Sequence, residues 1–581
     1  MTPITRLLSY LRRVPESYLL GAALTVLYSV CFQLVPLSVR GLVGHIESPT
    51  PQSSLALGAL WVIGAALLLA VFRMASRMVL FRTAREIEYQ IRNDLFRHLQ
   101  TLPQSFFARN RTGDLMSRGV NDINSIRLFL GMGLMNIFQT PVLVLGALSV
   151  MAWVDWRLTL AVAIPYPIFT FVVRLYGRRL HAASLATQEQ LGAVSTTVQE
   201  NAAGVLVARA YHMEDRERER FETENQGLYS RHMRLAIVQG LMQPTIGMLP
   251  AIALLMVLLV GSWRVEAGAL SLKDLWLFYI YVMMLTFPTF MLGWVFALAQ
   301  RGLASLQRLG EVLDRVPSIR DRSDVEPMEG VLGRVQVEDL SFVYPDRELK
   351  SLSGIHFRAS PGQTIGIVGR VGSGKSTLVN LIPRVLEVPD GAIFMDGVDV
   401  NRVPLLALRS SIAMVPQESF LFSATLAENI RFGCPDAPLE EVRDAARRAH
   451  LLDEIEDLPF GLDTPVGERG ITLSGGQRQR VALARALILD PTILILDDAL
   501  SSVDAMTEES ILKDLRRARE GRTCFIVAHR LTAIRDADYI LVLEEGQLAE
   551  EGTHAELLRK GGAYAEIHKQ QQLEAEIEAG T

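Results

Sequence analysis

Residues 369–377 read GRVGSGKST, and residues 493–498 read ILILDD. The first stretch follows an apolar strand-like segment, TIGIV, and precedes a helical pattern, TLVNLIPRVL. A G-x-x-x-x-G-K-[ST] loop therefore stands in the strand, loop and helix context that phosphate binding requires. Gly369, Gly372 and Gly374 let the backbone N–H groups of the loop, with Arg370, Val371 and Ser373 between them, converge on phosphate oxygens at a helix start. Lys375 supplies a point charge, the Ser376 hydroxyl can ligate Mg2+, and Thr377 closes the motif. ILIL reads as a fully buried strand whose end places Asp497 to hold Mg2+ directly or through water. The chemistry expected is binding and hydrolysis of ATP or GTP.

From Val335 to the C-terminus, short β-type runs alternate with helical ones, the pattern of an α/β phosphate-loop domain, here bounded at 335–571 with a polar tail at 572–581. The preceding 311–334 is polar, with Pro317 and Pro327, and reads as a linker. Residues 1–310 have another texture. The whole chain has 581 residues, 49% of them hydrophobic, and a mean hydropathy of +0.23, too long for one ordinary core and too apolar for a wholly soluble protein. Six apolar runs approach the roughly 20 residues that cross a bilayer. They are Tyr18–Val39, Leu55–Phe72, Phe129–Val154, Leu158–Val173, Met242–Trp263 and Leu275–Ala299. A six-helix membrane domain is expected, joined to an α/β nucleotidase.

Gaps between the runs alternate between short and long, which puts the long ones on one side. Ten arginines lie between Arg73 and Arg127, so the positive-inside rule makes the long segments and both termini cytoplasmic. Helical spacing continues through AREIEYQIRNDLFRHL and QEQLGAVSTTVQENAAGVLVARA, extending the spans as cytoplasmic stalks. Trp61, Trp153, Trp156, Trp263 and Trp294 near run ends suit an interfacial belt. Cys31, Cys434 and Cys524 are too far apart for a disulfide scaffold or a zinc site, and no cleavable signal peptide is expected.

LSGGQRQRVALARAL, Leu473–Leu487, stands just upstream of ILILDD. It resembles the ABC signature, and with the phosphate loop and six runs the whole chain resembles an ABC half-transporter of the exporter type, closest to the multidrug-resistance-like subunits of bacterial heterodimeric exporters. The resemblance implies roles position by position. Tyr344 in FVYPD corresponds to the aromatic residue that stacks on adenine. Gln417 in VPQE corresponds to the glutamine that reaches Mg2+ and the attacking water. His529 in IVAHR corresponds to the switch histidine at the γ-phosphate, SSVD at Ser501–Asp504 to the loop through which two sites sense each other, and TPVGERG at Thr464–Gly470 to the exporter-specific contact with the helices. In this family two nucleotide domains close head to tail, so Ser474, Gly475, Gly476 and Gln477 are expected to meet ATP and Mg2+ held by a second chain. Segments around Arg111–Asn121 and Ala208–Glu214 match the coupling positions.

Efficient sites of the family carry glutamate directly after the Mg2+-binding aspartate, as base or orienter of the attacking water. This chain has Asp498. The carboxylate is the same on an arm one methylene shorter, and a displacement near 1 Å can cost about 10²-fold. The expectation is a slow or degenerate own site, with His529 and Gln417 beside it, in a heterodimer whose partner subunit carries the glutamate. The alternatives are a slow homodimeric exporter or an exporter-fold importer. The location expected is the inner (plasma) membrane, and the cargo an amphipathic drug, lipid or peptide; a nucleic-acid ATPase is excluded by the six runs. Gln33, Asn136, Gln139, Thr140 and Gln243 are candidate cavity residues or helix-to-helix partners. No acidic or basic residue sits at the centre of a run, so selection of one strongly charged ion is not indicated. Pro141, Pro165, Pro167, Pro244, Pro250 and Pro288 are expected to kink the spans.

Overall fold

In hydrocarbon every backbone N–H and C=O must find its partner inside the segment, so apolar runs of this length form helices. The computed structural model describes residues 1–47, 55–328, 330–345, 349–467, 470–500, 507, 510–511 and 521–579. Among the described residues, six helical segments are long and apolar enough to cross a membrane: Pro15–Gly44, Gly58–Leu99, Thr112–Val154, Trp156–Ala203, Glu214–Glu266 and Leu272–Leu313. Five contain the corresponding run, the second begins three residues inside its own, and all six continue beyond the run at one end or both, as the stalk pattern predicts. Pro165 starts a new helix after Trp156–Ala163 and so interrupts the fourth span. Pro141, Pro244, Pro250 and Pro288 lie inside continuous helices. Trp61, Trp153, Trp156 and Trp263 are largely exposed on the helical surface.

The chain forms two units, one of Met1–Phe96 with Gly113–Asp314, the other of Arg97–Thr112 with Arg315–Thr581. In the first, an apolar core joins the third to sixth spans through Ala147, Met151, Leu158, Val257, Phe278 and Tyr281. Polar pairs fasten the ends. Asp122, on a π-helical turn at Arg118–Asp122, accepts from Ser305 Oγ at 2.9 Å and Arg308 Nε at 3.0 Å, tying the third span to the sixth. At the short turns, Asp155 caps the helix from Trp156 and pairs with Arg264 at 2.7 Å, while Arg40 meets Asp274 at 2.6 Å. The N-terminal helix Pro3–Leu11 is anchored to the end of the sixth span by Arg6 and Asp314 at 2.6 Å.

The second unit contains two sheets. Strands β1 (Val335–Phe342), β2 (Leu352–Ala359), β4 (Ile393–Met395) and β5 (Val398–Asp399) form an antiparallel sheet in the order β2-β1-β4-β5. The larger sheet has the order β10-β9-β3-β8-β7-β6, from β3 (Thr364–Gly369), β6 (Ile412–Val415), β7 (Ile493–Asp497), β8 (Thr523–Val527), β9 (Tyr539–Glu544) and β10 (Gln547–Gly552). Its four central pairings are parallel, and β3, β7 and β8 are buried along their whole length, as continuous apolar runs covered on both faces require. One apolar core lies between the sheets around the helix Lys375–Leu381; another lies under the helices that include Gly475–Leu487.

Residues 97–112, with the short helix Gln104–Arg109, belong to the second unit, and the position read as coupling at Arg111–Asn121 is helical from Thr112 and leads into the third span. Within the polar tail, residues 572–579 continue the helix Ala563–Ala579.

Candidate active site

Adjacent parallel strands deliver their C-terminal ends to one edge of a sheet, and the chemistry collects there. β3 ends on Gly369, β7 on Asp497 and β8 on Val527, with β7 next to β8 and β8 next to β3. A cleft of ≈ 400 Å³ opens at this edge, and Tyr344, Val371, Gly372, Gly374, Lys375, Ser376, Thr377, Gln417, Asp497, Asp498 and His529 line it. Residues far apart in sequence are thus brought together as the phosphate-loop reading requires. Gly369, Arg370 and Ser373 complete the loop behind that lining.

The loop fits a phosphate group. Gly374 has φ +96, and a Cβ there would come within 2.7 Å of Ser351 O; at Gly369 a Cβ would meet Leu543 O at 2.1 Å. Only glycine allows this backbone at both positions. Ser373 Oγ is buried and has no hydrogen-bond partner among the described residues, a donor left for an acceptor oxygen. Lys375 Nζ donates to Gly369 O at 2.8 Å and Arg370 O at 2.9 Å, which holds the ammonium across the mouth of its own loop. The Ser376 hydroxyl donates to Asp497 Oδ1 at 3.0 Å. These are the two oxygens that would hold Mg2+, and Gln417, exposed after β6, borders the same cleft.

Burial pushes the Asp497 carboxyl above the usual carboxylate range; the Ser376 hydrogen bond opposes this, and the neighbouring Asp498 charge adds to it. Burial also lowers the Lys375 ammonium, while the charges of Asp497 and Asp498 oppose that shift. A divalent cation would settle the pair of carboxylates directly. Asp498 is half-buried, its N–H donates to Val527 O at 2.9 Å, and its φ is +50. Aspartate tolerates that left-handed backbone better than most residues, since its short side chain can bond locally.

Tyr344 is half-buried, packs edge-on against Phe342 at 5.0 Å and shares a 3.1 Å hydrogen bond with Thr377 Oγ1. Its ring therefore borders the cleft next to the loop helix. Ser474, Gly475, Gly476 and Gln477 lie elsewhere. Ser474 is exposed and caps the helix Gly475–Leu487: its Oγ accepts from Gln477 N at 3.2 Å, and Gln477 Oε1 accepts from Ser474 N at 2.9 Å. The signature is thus a well-formed helix start that takes no part in lining the cleft of its own chain. Ser501–Asp504 and, within Thr464–Gly470, Glu468 and Arg469 lie outside the described residues.

One residue that supports the edge of the cleft escaped the sequence reading. Gln571, on the helix Ala563–Ala579, donates from Nε2 to His529 O at 2.6 Å and accepts from Leu531 N at 2.9 Å. A single amide thereby brackets the switch-histidine turn. Its place in a QQQ run carries no signal, because a surface glutamine far downstream of the histidine looks like any other.

In the membrane unit, Gln33 is buried and donates to Leu143 O at 3.0 Å, so it acts as a helix-to-helix partner. Thr140 is buried; Asn136 and Gln139 line a cavity between the first, second, third and sixth spans. The side chain of Gln243 lies outside the described residues.

Comparison with known proteins agrees with this geometry. Residues 18–289 match the family described as ABC transporter transmembrane region, and residues 352–501 the family described as ABC transporter. The chain is 36% identical over 574 residues, 98% of its length and 96% of the relative's, to the multidrug resistance-like ATP-binding protein MdlA of Escherichia coli. It is 34% identical over 571 residues, 98% of each chain, to the ATP-dependent lipid A-core flippase of Chromohalobacter salexigens. The structure of a bacterial Atm1-family ABC exporter with ATP bound superposes with a TM-score of 0.81 at 28% identity, covering 96% of this chain and 99% of that one. A phosphate loop, a separate signature helix and six spanning helices on one polypeptide place the chain in the ABC transporter family, as an exporter-type half-transporter with its own ATPase domain.

Proposed function

We propose that the chain is the slow-site subunit of a heterodimeric ATP-driven exporter, moving amphipathic drugs, lipids or peptides out of the cytoplasm across the inner (plasma) membrane. Its nucleotide domain and both termini are cytoplasmic. The observation that carries this reading is the pairing of Asp498 in the cleft with an intact, well-capped signature at Ser474 outside it. The signature can complete a partner's site, presenting backbone and hydroxyl donors at a helix start to that chain's γ-phosphate. The cleft, with its shorter carboxylate, binds Mg2+ and ATP through Ser376, Gln417 and Asp497 and cleaves slowly.

In the assembled pair, closure of the two nucleotide domains over ATP biases the helices between two access states. A second polypeptide is further supported by the helix Val205–Ala210, where Leu206 is 80% exposed and Val207 62%, followed by Tyr211 at 76%. Such an apolar cluster at a cytoplasmic coupling position suits burial against another chain. Purifying the chain alone tests the reading. Slow hydrolysis that rises when a glutamate-bearing partner is added supports it; rapid hydrolysis by the isolated chain overturns it.

A further inference from the structure

A glutamine at the third position of a helix closes a capping box as a glutamate does, but with an amide in place of a charge. At the signature this difference matters. A carboxylate at Gln477 would stand at the helix start that the proposed function offers to a γ-phosphate, and would oppose the favourable field there. The amide closes the box without charge: Gln477 Oε1 accepts from Ser474 N at 2.9 Å, and Ser474 Oγ accepts from Gln477 N at 3.2 Å. The amide also brings a difficulty. Either of its ends can turn inward, and only the oxygen can accept from Ser474 N.

Glu454 resolves it. This residue stands on the short helix Leu452–Glu456, and its Oε2 accepts from Gln477 Nε2 at 3.0 Å. A carboxylate can only accept, so it holds the NH2 end of the amide outward and turns Oε1 toward Ser474 N. Bare, the Glu454 charge would itself weaken the helix start, but Arg480, buried one turn along the signature helix, meets Glu454 Oε1 at 2.7 Å. Arg480 Nη1 also donates to His450 O at 2.6 Å, just before the short helix. Leu452 and Ile455 are buried in the apolar core that takes Val481 and Ala484 of the signature helix, which holds Glu454 against its target. The ordinary explanation for a half-exposed glutamate beside an arginine is a surface ion pair of small effect. It covers the contact with Arg480, but leaves the bond from Gln477 to the other oxygen without a purpose.

We infer that Glu454 is a positioning residue for ATP hydrolysis: through the Gln477 amide it fixes the start of the signature helix in the geometry that a second chain's γ-phosphate meets. The inference rests on the proposed reading that this signature completes a partner's site. Glu454 acts only through its neighbour. Without it the amide turns either way, Ser474 N loses its fixed acceptor, and the donors of Ser474, Gly475 and Gly476 spread over several geometries. Preorganised donors lose their advantage when they must be ordered anew in each turnover.

The test uses the assembled transporter, substituted in this chain only, and reads steady-state ATP hydrolysis, thermal unfolding and azido-ATP labelling of this chain's own cleft. Glu454→Ala should lower kcat about tenfold, as the loss of one charge-assisted hydrogen bond implies, with the KM for ATP and the labelling unchanged. Glu454→Gln keeps an acceptor for Gln477 Nε2 but gives Arg480 no charge. It should therefore retain most of the rate, while its unfolding midpoint falls as far as that of Glu454→Ala. Gln477→Ala should lower kcat by a similar factor, and the double alanine variant should lower it no further, because both changes break one relay. Glu454→Met, which keeps the volume without the acceptor, replaces Glu454→Ala if that variant fails to assemble. A rate that follows the unfolding midpoint through the alanine and glutamine variants, or losses that multiply in the double variant, overturns the inference. Ser474→Arg in the same complex keeps the two claims apart. If it abolishes hydrolysis while Glu454→Ala leaves the rate unchanged, the inference alone falls; if it leaves hydrolysis intact, the signature reading falls and takes the inference with it.

Discussion

At the scale of single residues, the proposed function divides the cleft's labour between groups that hold nucleotide and a group that cleaves it. Lys375 bridges Gly369 O and Arg370 O, so it is poised over the loop that phosphate oxygens would fill. Lys375→Ala should weaken photolabelling of this chain by azido-ATP about tenfold or more, since a charge-assisted contact is lost. Asp498 governs the other half. General-base assistance contributes about 10²- to 10⁴-fold, so in a complex whose partner site has been silenced, lengthening the arm with Asp498→Glu should raise hydrolysis about tenfold. The left-handed backbone at Asp498 limits the gain, because glutamate bears that conformation less readily. An unchanged rate would show that arm length is immaterial. These residues were legible in sequence because each belongs to a short motif with its own local mechanics. Gln571 was not, since nothing near it in the chain records its contact with His529 O.

At the scale of elements, helices far apart in sequence set the geometry of the parts that move. Gln571 fixes the turn that carries His529, holding the carbonyl of one residue and the N–H of Leu531. In the Asp498→Glu background with the partner site silenced, Gln571→Ala should lower kcat several-fold with the KM for ATP unchanged, because the histidine turn loses its support while the phosphate loop that binds nucleotide is untouched. A change confined to KM, or to thermal stability, would contradict a positioning role. In the membrane unit the third and sixth spans are joined by Asp122, Ser305 and Arg308 across a long stretch of chain. Asp122→Ala leaves Arg308 and Ser305 without their acceptor and should destabilise that unit by about 1–3 kcal/mol, read as a lower midpoint in thermal unfolding of the detergent-purified protein. The spans themselves were readable from run length alone. Their register was not, and neither was the assignment of residues 97–112 to the second unit, because contacts between distant segments leave no local pattern in the chain.

At the scale of the whole molecule, one chain holds a nucleotide cleft and a signature that do not meet. The phosphate loop and the Ser376–Asp497 pair collect at the ends of β3 and β7, while Ser474 caps a helix whose exposed start lies outside that lining. On the proposed reading, a subunit built this way contributes to two different ATP sites when paired, and the two contributions are unequal: a complete signature for the partner and a short carboxylate for itself. The measurement that bears most directly on this is steady-state ATP hydrolysis by the assembled transporter carrying, in this chain only, either Ser474→Arg or Asp498→Asn. Losing signature donors to the γ-phosphate should lower the rate about 10²- to 10³-fold in the first variant, and the second should leave it essentially intact. If Asp498→Asn abolishes hydrolysis as fully as Ser474→Arg, this chain's own site is the working one and the asymmetric account is wrong.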